Sequence, residues 1–191
     1  MYEVELKLRA DHGTVRAALD DAGATFDRRV RQVDTYYDAP HRDFAETDEA
    51  LRLREETRDP GGRAGADGAP DPTTRLTYKG PLVEAASKTR EEHETAVANG
   101  DEASDILSGL GFEPAAVVEK DRTFFEFDGY AVSLDRVDGL GEFVEVEAEV
   151  TESDEVPVVR EGAAAVLRDL GLEPDDQIRT SYLGLLLDAT E

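Results

Sequence analysis

Glu3-Val4-Glu5-Leu6-Lys7-Leu8 alternates charged and aliphatic side chains without a break. Side chains of a strand alternate between its two faces. One face of this strand therefore carries carboxylate, carboxylate and ammonium, and the other is aliphatic. A strand with one wet face gives that pattern in any antiparallel sheet, so the stretch counts only because it recurs. Arg52 and Arg54 alternate with Leu51 and Leu53. Lys79 ends Arg75-Leu76-Thr77-Tyr78-Lys79. Arg90, Glu92 and Glu94 share a face, as do Lys120 and Arg122. Asp135 ends a strand whose other face is Tyr130, Val132 and Leu134, and Glu145, Glu147 and Glu149 alternate with Val144, Val146, Ala148 and Val150.

These faces mix both signs of charge in a chain that is otherwise acidic. Of only four lysines, Lys7, Lys79 and Lys120 fall on them, and Lys88 reads as loop. A lysine kept where lysine is scarce points to a need for a compact ammonium rather than a planar guanidinium. A closed antiparallel barrel with a wet interior gathers all these side chains into one lumen, with the apolar faces outward under helices. Such a lumen suits a polyanion held by Lys and Arg. Its carboxylates suit Mg²⁺ or Mn²⁺, shared with phosphate oxygens. No Gly-rich phosphate loop is present, so side chains would hold the phosphates.

The remaining composition sets limits. The 191 residues fit one domain with a real core. The chain has no cysteine, which excludes disulfides and thiolate metal sites. A net charge of −24, from 45 Asp+Glu against 21 Lys+Arg, has the wrong sign for a nucleic-acid-binding surface. Because the acidic residues are spread rather than held in a tail, the charge resembles that of proteins from salt-accumulating microbes, a halophilic archaeon being the expected source. No apolar run reaches membrane-spanning length and no signal-peptide core is present, so a cytoplasmic setting without membrane contact is the expectation.

Periodicity and stop signals predict strands over 2–9, 26–37, 50–57, 74–80, 89–97, 116–127, 130–136 and 142–150. Helices are predicted over 13–23, 101–110 (with Asp101 or Ser104 near the start), 158–170 and 177–188. The Gly-, Pro- and Asp-rich residues 58–73 read as a flexible hairpin connection. With no βαβ alternation, antiparallel pairing follows.

The ordered set of motifs resembles the CYTH superfamily of triphosphate tunnel enzymes, and within it the class IV adenylate cyclase branch. Glu3-Val4-Glu5-Leu6-Lys7 matches the ExExK signature. Asp34-Thr35-Tyr36-Tyr37-Asp38, Ala50-Leu51-Arg52-Leu53-Arg54, Leu76-Thr77-Tyr78-Lys79-Gly80-Pro81, Thr89-Arg90-Glu91-Glu92 and Val118-Glu119-Lys120-Asp121-Arg122 follow in order. Leu134-Asp135-Arg136-Val137-Asp138-Gly139-Leu140-Gly141-Glu142-Phe143-Val144-Glu145-Val146-Glu147 and Arg179-Thr180-Ser181-Tyr182 complete it. The resemblance implies an α+β fold, an eight-stranded antiparallel β-barrel or tunnel with helices outside, over a single domain 1–191.

It further implies that Lys7, Arg52, Arg54, Lys79, Arg90, Lys120 and Arg122 bind phosphate. Glu3, Glu5, Asp135, Glu145 and Glu147, joined by Glu92, would bind or orient Mg²⁺ or Mn²⁺, with Glu5, Asp135 and Glu145 ranked first. Lys7, Glu5 and Asp135 are the expected catalytic residues, and Lys7 would serve as a base only if surrounding cations depress its pKa. Arg179 and Tyr182 read equally as part of a helix packed on the barrel.

Asp34 and Asp38 read as strand-end residues outside the site. One of Tyr36 and Tyr37 faces the lumen by parity. His12, His41 and His93 read as surface, having no zinc-like spacing. The expected reaction is ATP to cyclic AMP and pyrophosphate. The alternatives are hydrolysis of inorganic triphosphate, thiamine triphosphate or a nucleoside triphosphate, and non-catalytic binding of a polyphosphate or nucleotide. A homodimer is the default assembly because two-fold dimers are commonest.

Overall fold

A computed structural model describes residues 1–58, 72–84 and 88–189. Eight antiparallel strands close into a barrel: β1 (Tyr2–Arg9), β2 (Thr25–Asp38), β3 (Ala50–Arg58), β4 (Thr73–Glu84), β5 (Thr89–Val97), β6 (Glu113–Phe127), β7 (Tyr130–Val137) and β8 (Gly141–Val150). Their order around the barrel is β1-β5-β4-β3-β2-β6-β7-β8. β2 therefore lies four strands from β1 in either direction, directly across the lumen, as β3 lies across from β8. The connection expected over 58–73 lies, apart from its edges, outside the described residues.

The barrel is inverted relative to an ordinary core. Its outward faces are apolar and helices cover them. Leu6, Leu8, Phe125, Val132, Leu134, Val144 and Val146 pack under α1 (His12–Ala22) and α4 (Val156–Asp169), where Val15, Leu19, Ala163, Val166 and Leu167 meet them. Tyr37, Leu51 and Leu53 pack with Phe44 of α2 (Phe44–Thr47) and Leu107 of α3 (Gly100–Gly109). Inside the barrel, Tyr36, Val118, Val137 and Phe143 form a third cluster with Tyr182 of α5 (Tyr182–Asp188), which covers one end. No helix among the described residues is long and apolar enough to cross a membrane.

Local chemistry sets the helix ends. Asp11 caps α1 by accepting from the Thr14 amide at 2.8 Å, and Gly23 ends it in the left-handed conformation (φ 78°) that a side chain disfavours. Asn99, rather than Asp101 or Ser104, caps α3 by accepting from the Glu102 amide. The predicted helix 177–188 is shorter than expected. Ile178 gives its amide to the Lys7 carbonyl at 2.7 Å, which fixes that residue against β1, and Ser181 caps the helix only from Tyr182 onward. α2 was not predicted, because four residues carry no periodicity; its start is set by Asp43 accepting from the Ala45 amide.

Leu167 is fully buried between α4 and the barrel. Leu167→Ala is expected to cost about 2–5 kcal/mol, read as a lowered urea midpoint, while triphosphate binding by the folded variant stays unchanged because the residue faces away from the lumen.

Candidate active site

Every strand except β7 sends at least two residues into one cavity of about 330 Å³. Lys7, Arg52, Arg54, Lys79, Arg90, Lys120 and Arg122 line it, and so do Glu3, Glu5, Glu92, Glu145 and Glu147. Strand parity brings these twelve together. Asp135 is the exception: it is fully buried but not among the lining residues. It accepts from Arg122 Nε at 2.8 Å and from the Tyr182 hydroxyl at 3.0 Å. Burial and the Asp135 carboxylate raise the Tyr182 phenol well above its usual range, so the hydroxyl stays protonated and donates. Asp135, expected as a metal ligand and catalytic residue, thus meets Arg122 and Tyr182 rather than the lumen.

Several of the cations are clamped. Asp34 accepts a bidentate pair from Arg54 (Nε to Oδ1 2.6 Å, Nη2 to Oδ2 2.8 Å), with Arg52 Nη1 and Lys120 Nζ each 3.5 Å away. Burial alone would raise this carboxyl, but Arg54, Lys120 and Arg52 outweigh it and hold Asp34 well below the carboxylate range. Arg122 likewise binds Asp135, Ser133 and Glu145. Some cations, Arg52 among them, also keep free donors. Nε of Arg52, Nε of Arg90 and Nζ of Lys88 are buried without a hydrogen-bond partner among the described residues. Unsatisfied buried donors are costly, and donors turned on a shared cavity are what an incoming polyanion satisfies.

Two residues in this picture, Asp34 and Lys88, lie outside the sequence reading of the site, and Tyr182 is one it leaves open. Asp34 lies in mid-strand, since β2 runs on to Asp38, and shares inward parity with Gln32 and Tyr36. Asp38 is exposed, as expected. Lys88 sits in a turn, yet its side chain is buried in the cavity wall, and its amide donates to the Glu5 carbonyl. All four lysines of the chain thus line the lumen. Tyr182 lines it too, with Lys7 Nζ 4.5 Å and Lys120 Nζ 5.2 Å from its ring centroid. Tyr36 faces in, whereas Tyr37 faces out and donates to Ser104 Oγ. Arg179 is exposed and is not among the lining residues. His12 is half-buried rather than a plain surface residue, and bonds the Phe143 carbonyl.

Glu3, Glu5 and Glu147 offer carboxylate oxygens that all lie within 4.8 Å of one another, a spacing that fits one cation. Burial, reinforced by the carboxylates of Glu3, Glu145 and Glu5, pushes Glu147 up to about 7 against the pull of Arg122. Burial also raises Glu3, despite the Lys79 ammonium in contact with it. Crowded carboxylates with too little positive charge fit a hard divalent ion, for which an all-oxygen donor set is suited. Lys7 Nζ lies 3.6 Å from Glu5 and 3.9 Å from Glu145, beside the Tyr182 ring.

An inverted barrel with opposed cationic and anionic walls defines a triphosphate-tunnel architecture. The chain belongs to the CYTH family, whose domain model matches residues 1–182. It is 35% identical over 186 residues to a Methanocaldococcus jannaschii protein named "Putative adenylate cyclase", covering 97% of this chain and 98% of that one. A solved Pyrococcus horikoshii protein is 38% identical, with a TM-score of 0.85 and coverage of 97% and 98%. A Hippeastrum protein named "Putative adenylyl cyclase", whose structure is described as revealing a dominant triphosphatase activity, shares the fold at 19% identity and a TM-score of 0.62, over 98% of this chain and 95% of that one.

Proposed function

We propose that this protein is a divalent-metal-dependent enzyme acting on triphosphates, and that its reaction is conversion of ATP to cyclic AMP and pyrophosphate. The observation that carries the triphosphate reading is the meeting, in one cavity, of cations with unsatisfied donors and a three-carboxylate cluster short of positive charge. The cyclase reading is supported by the name of the Methanocaldococcus relative. Hydrolysis of a triphosphate by water is the second reading, favoured by the description of the Hippeastrum neighbour. It would use the same residues.

Glu3, Glu5 and Glu147 would hold the metal. When bound there, a divalent ion would supply charge neutralisation to the phosphate oxygens and favour ionisation of the attacking hydroxyl. Arg52, Arg90 and Lys88 would give their free donors to the phosphate chain, joined by Lys7, Lys79, Lys120 and Arg122. Asp34 and Asp135 hold Arg54 and Arg122 in place before substrate arrives, so little reorganisation remains as charge moves. The ribose 3′-oxygen bonds to the α-phosphorus as the bond to the bridging oxygen breaks. Pyrophosphate carries away the electron pair, and the 3′-hydroxyl proton is released to solvent. Neutralising three charged groups along the chain favours the leaving group, the usual electrostatic part of phosphoryl transfer.

A pH profile tests the basic wall without turnover. Burial, with Arg54 and Arg122 adding to it, lowers Lys120 to about 8 against the pull of Asp34 and Asp135. Lys120 is thus charged below about pH 8 and loses its proton above it. Affinity for inorganic triphosphate in EDTA is expected to weaken as pH rises from 8 towards 10. In Lys120→Arg, which stays charged, that fall should shrink. A fall of equal size in both proteins would remove Lys120 from the phosphate set. The same shift has a sign for folding. The amine is lower in the folded chain than in the unfolded one, so this group penalises the fold below about pH 8, and the penalty fades towards the unfolded value near 10.5.

A further inference from the structure

We propose that Gln32 and Arg28, on the wall made by β2 and β6, form the subsite for a nucleobase bearing an exocyclic amine, as adenine does. The inference rests on the triphosphate reading above and names the substrate class for the same cavity. Gln32 is 2% exposed and lines the cavity. Its Nε2 donates to Glu56 Oε2 at 2.7 Å. A carboxylate only accepts, so this bond fixes which end of the amide points where. The carbonyl oxygen, Oε1, is left buried with no hydrogen-bond partner among the described residues. A buried acceptor without a donor is costly, and an amino group entering the cavity is a donor of the right kind.

The same wall offers a flat cationic surface. Phe124 is buried on the inner face of β6 and lines the cavity. The Arg28 guanidinium lies 4.1 Å from its ring centroid and that of Arg122 lies 4.8 Å away. Arg28, ion-paired with the adjacent Asp27, is about a third exposed, which leaves part of its side chain open to the lumen. A guanidinium plane stacks on aromatic π-systems. Arg122 joins this wall to the phosphate set, since it also binds Asp135 and Glu145. A base on β2 and β6 would therefore sit beside the phosphates. It would lie across the lumen from the β1 carboxylates Glu3 and Glu5.

An amino group at position 6 of a purine would donate to Gln32 Oε1, whereas the 6-oxo group of hypoxanthine would set acceptor against acceptor. Calorimetric titration in EDTA with ATP, ITP and inorganic triphosphate separates the cases. The wild-type chain should bind ATP about tenfold tighter than ITP. Gln32→Met, which keeps the volume and lacks the acceptor, should erase that preference and leave inorganic triphosphate within about twofold. Arg28→Ala, at a partly exposed position that tolerates truncation, should weaken ATP and ITP alike by several-fold and again spare inorganic triphosphate. Equal binding of ATP and ITP by the wild type, or Gln32→Met weakening inorganic triphosphate as much as ATP, overturns the subsite while the triphosphate reading stands. Failure of the wild type to bind any of the three overturns both.

Discussion

Glu5→Gln and Glu147→Gln are each expected to lower metal-dependent turnover by at least two orders of magnitude, with little loss of stability. The two residues sit in the carboxylate cluster at the seam of β1 and β8, where they are register partners. Each substitution keeps the side-chain volume and removes one carboxylate from a crowded cluster of three, whose counter-charges are Lys79 beside Glu3 and Lys7 3.6 Å from Glu5. Folding should not suffer, because like charges are being relieved: burial and neighbouring carboxylates already push Glu147 up to about 7. A variant that is as stable as wild type, binds inorganic triphosphate in EDTA and has lost its response to Mg²⁺ or Mn²⁺ identifies a metal ligand. Unchanged turnover in both variants would place the metal elsewhere. Asp135→Ala gives the contrast. It strips Arg122 and Tyr182 of a buried partner, so it should lower stability as well as turnover.

Asp34→Ala is expected to destabilise the fold by about 3–5 kcal/mol, the usual cost of removing one partner from a buried ionic cluster. Arg52, Arg54 and Lys120 would be left facing one another in a wall where each is under 10% exposed. The wild-type linkage has a definite sign. Asp34 is held well below its unfolded value near 3.8, so it stabilises the fold fully above about pH 4. That stability is lost as pH falls through the folded-state pKa. The variant should show a reduced melting temperature at pH 7 and a smaller loss below pH 4. Inorganic triphosphate should raise the melting temperature of the variant more than that of wild type, because the ligand restores negative charge to the cluster. A variant with wild-type melting temperature and no enhanced rescue would show that the cluster carries no such strain.

The barrel was legible because its signal is parity, which survives errors in strand ends. Glu3, Glu5 and Lys7 needed only the first strand to be extended. What the sequence hid depends on long-range placement. Asp34 reads as a strand-end residue although it falls inside the predicted strand 26–37; its parity with Gln32 and Tyr36 is the signal that places it inward. Lys88 has a turn backbone, for which no periodicity rule predicts a side-chain direction. The scarcity of lysine was the available signal, and it held for all four. Asp135 reads as a metal ligand because its parity is inward; its burial against Arg122 across β6 and β7 and against Tyr182 from the far end of the chain has no local signal. The shortened α5 follows from the bond between Ile178 and Lys7, a contact across 171 positions that no local pattern encodes.

Phosphorus NMR of the purified chain in molar KCl with Mg²⁺ or Mn²⁺, supplied separately with ATP and with inorganic triphosphate, decides between cyclase and triphosphatase. The account predicts cyclic AMP and pyrophosphate from ATP. Orthophosphate, with inorganic triphosphate consumed faster than ATP, would contradict the cyclase and leave the tunnel residues in a triphosphatase. No turnover of either compound, with either metal, would contradict the enzymatic reading itself.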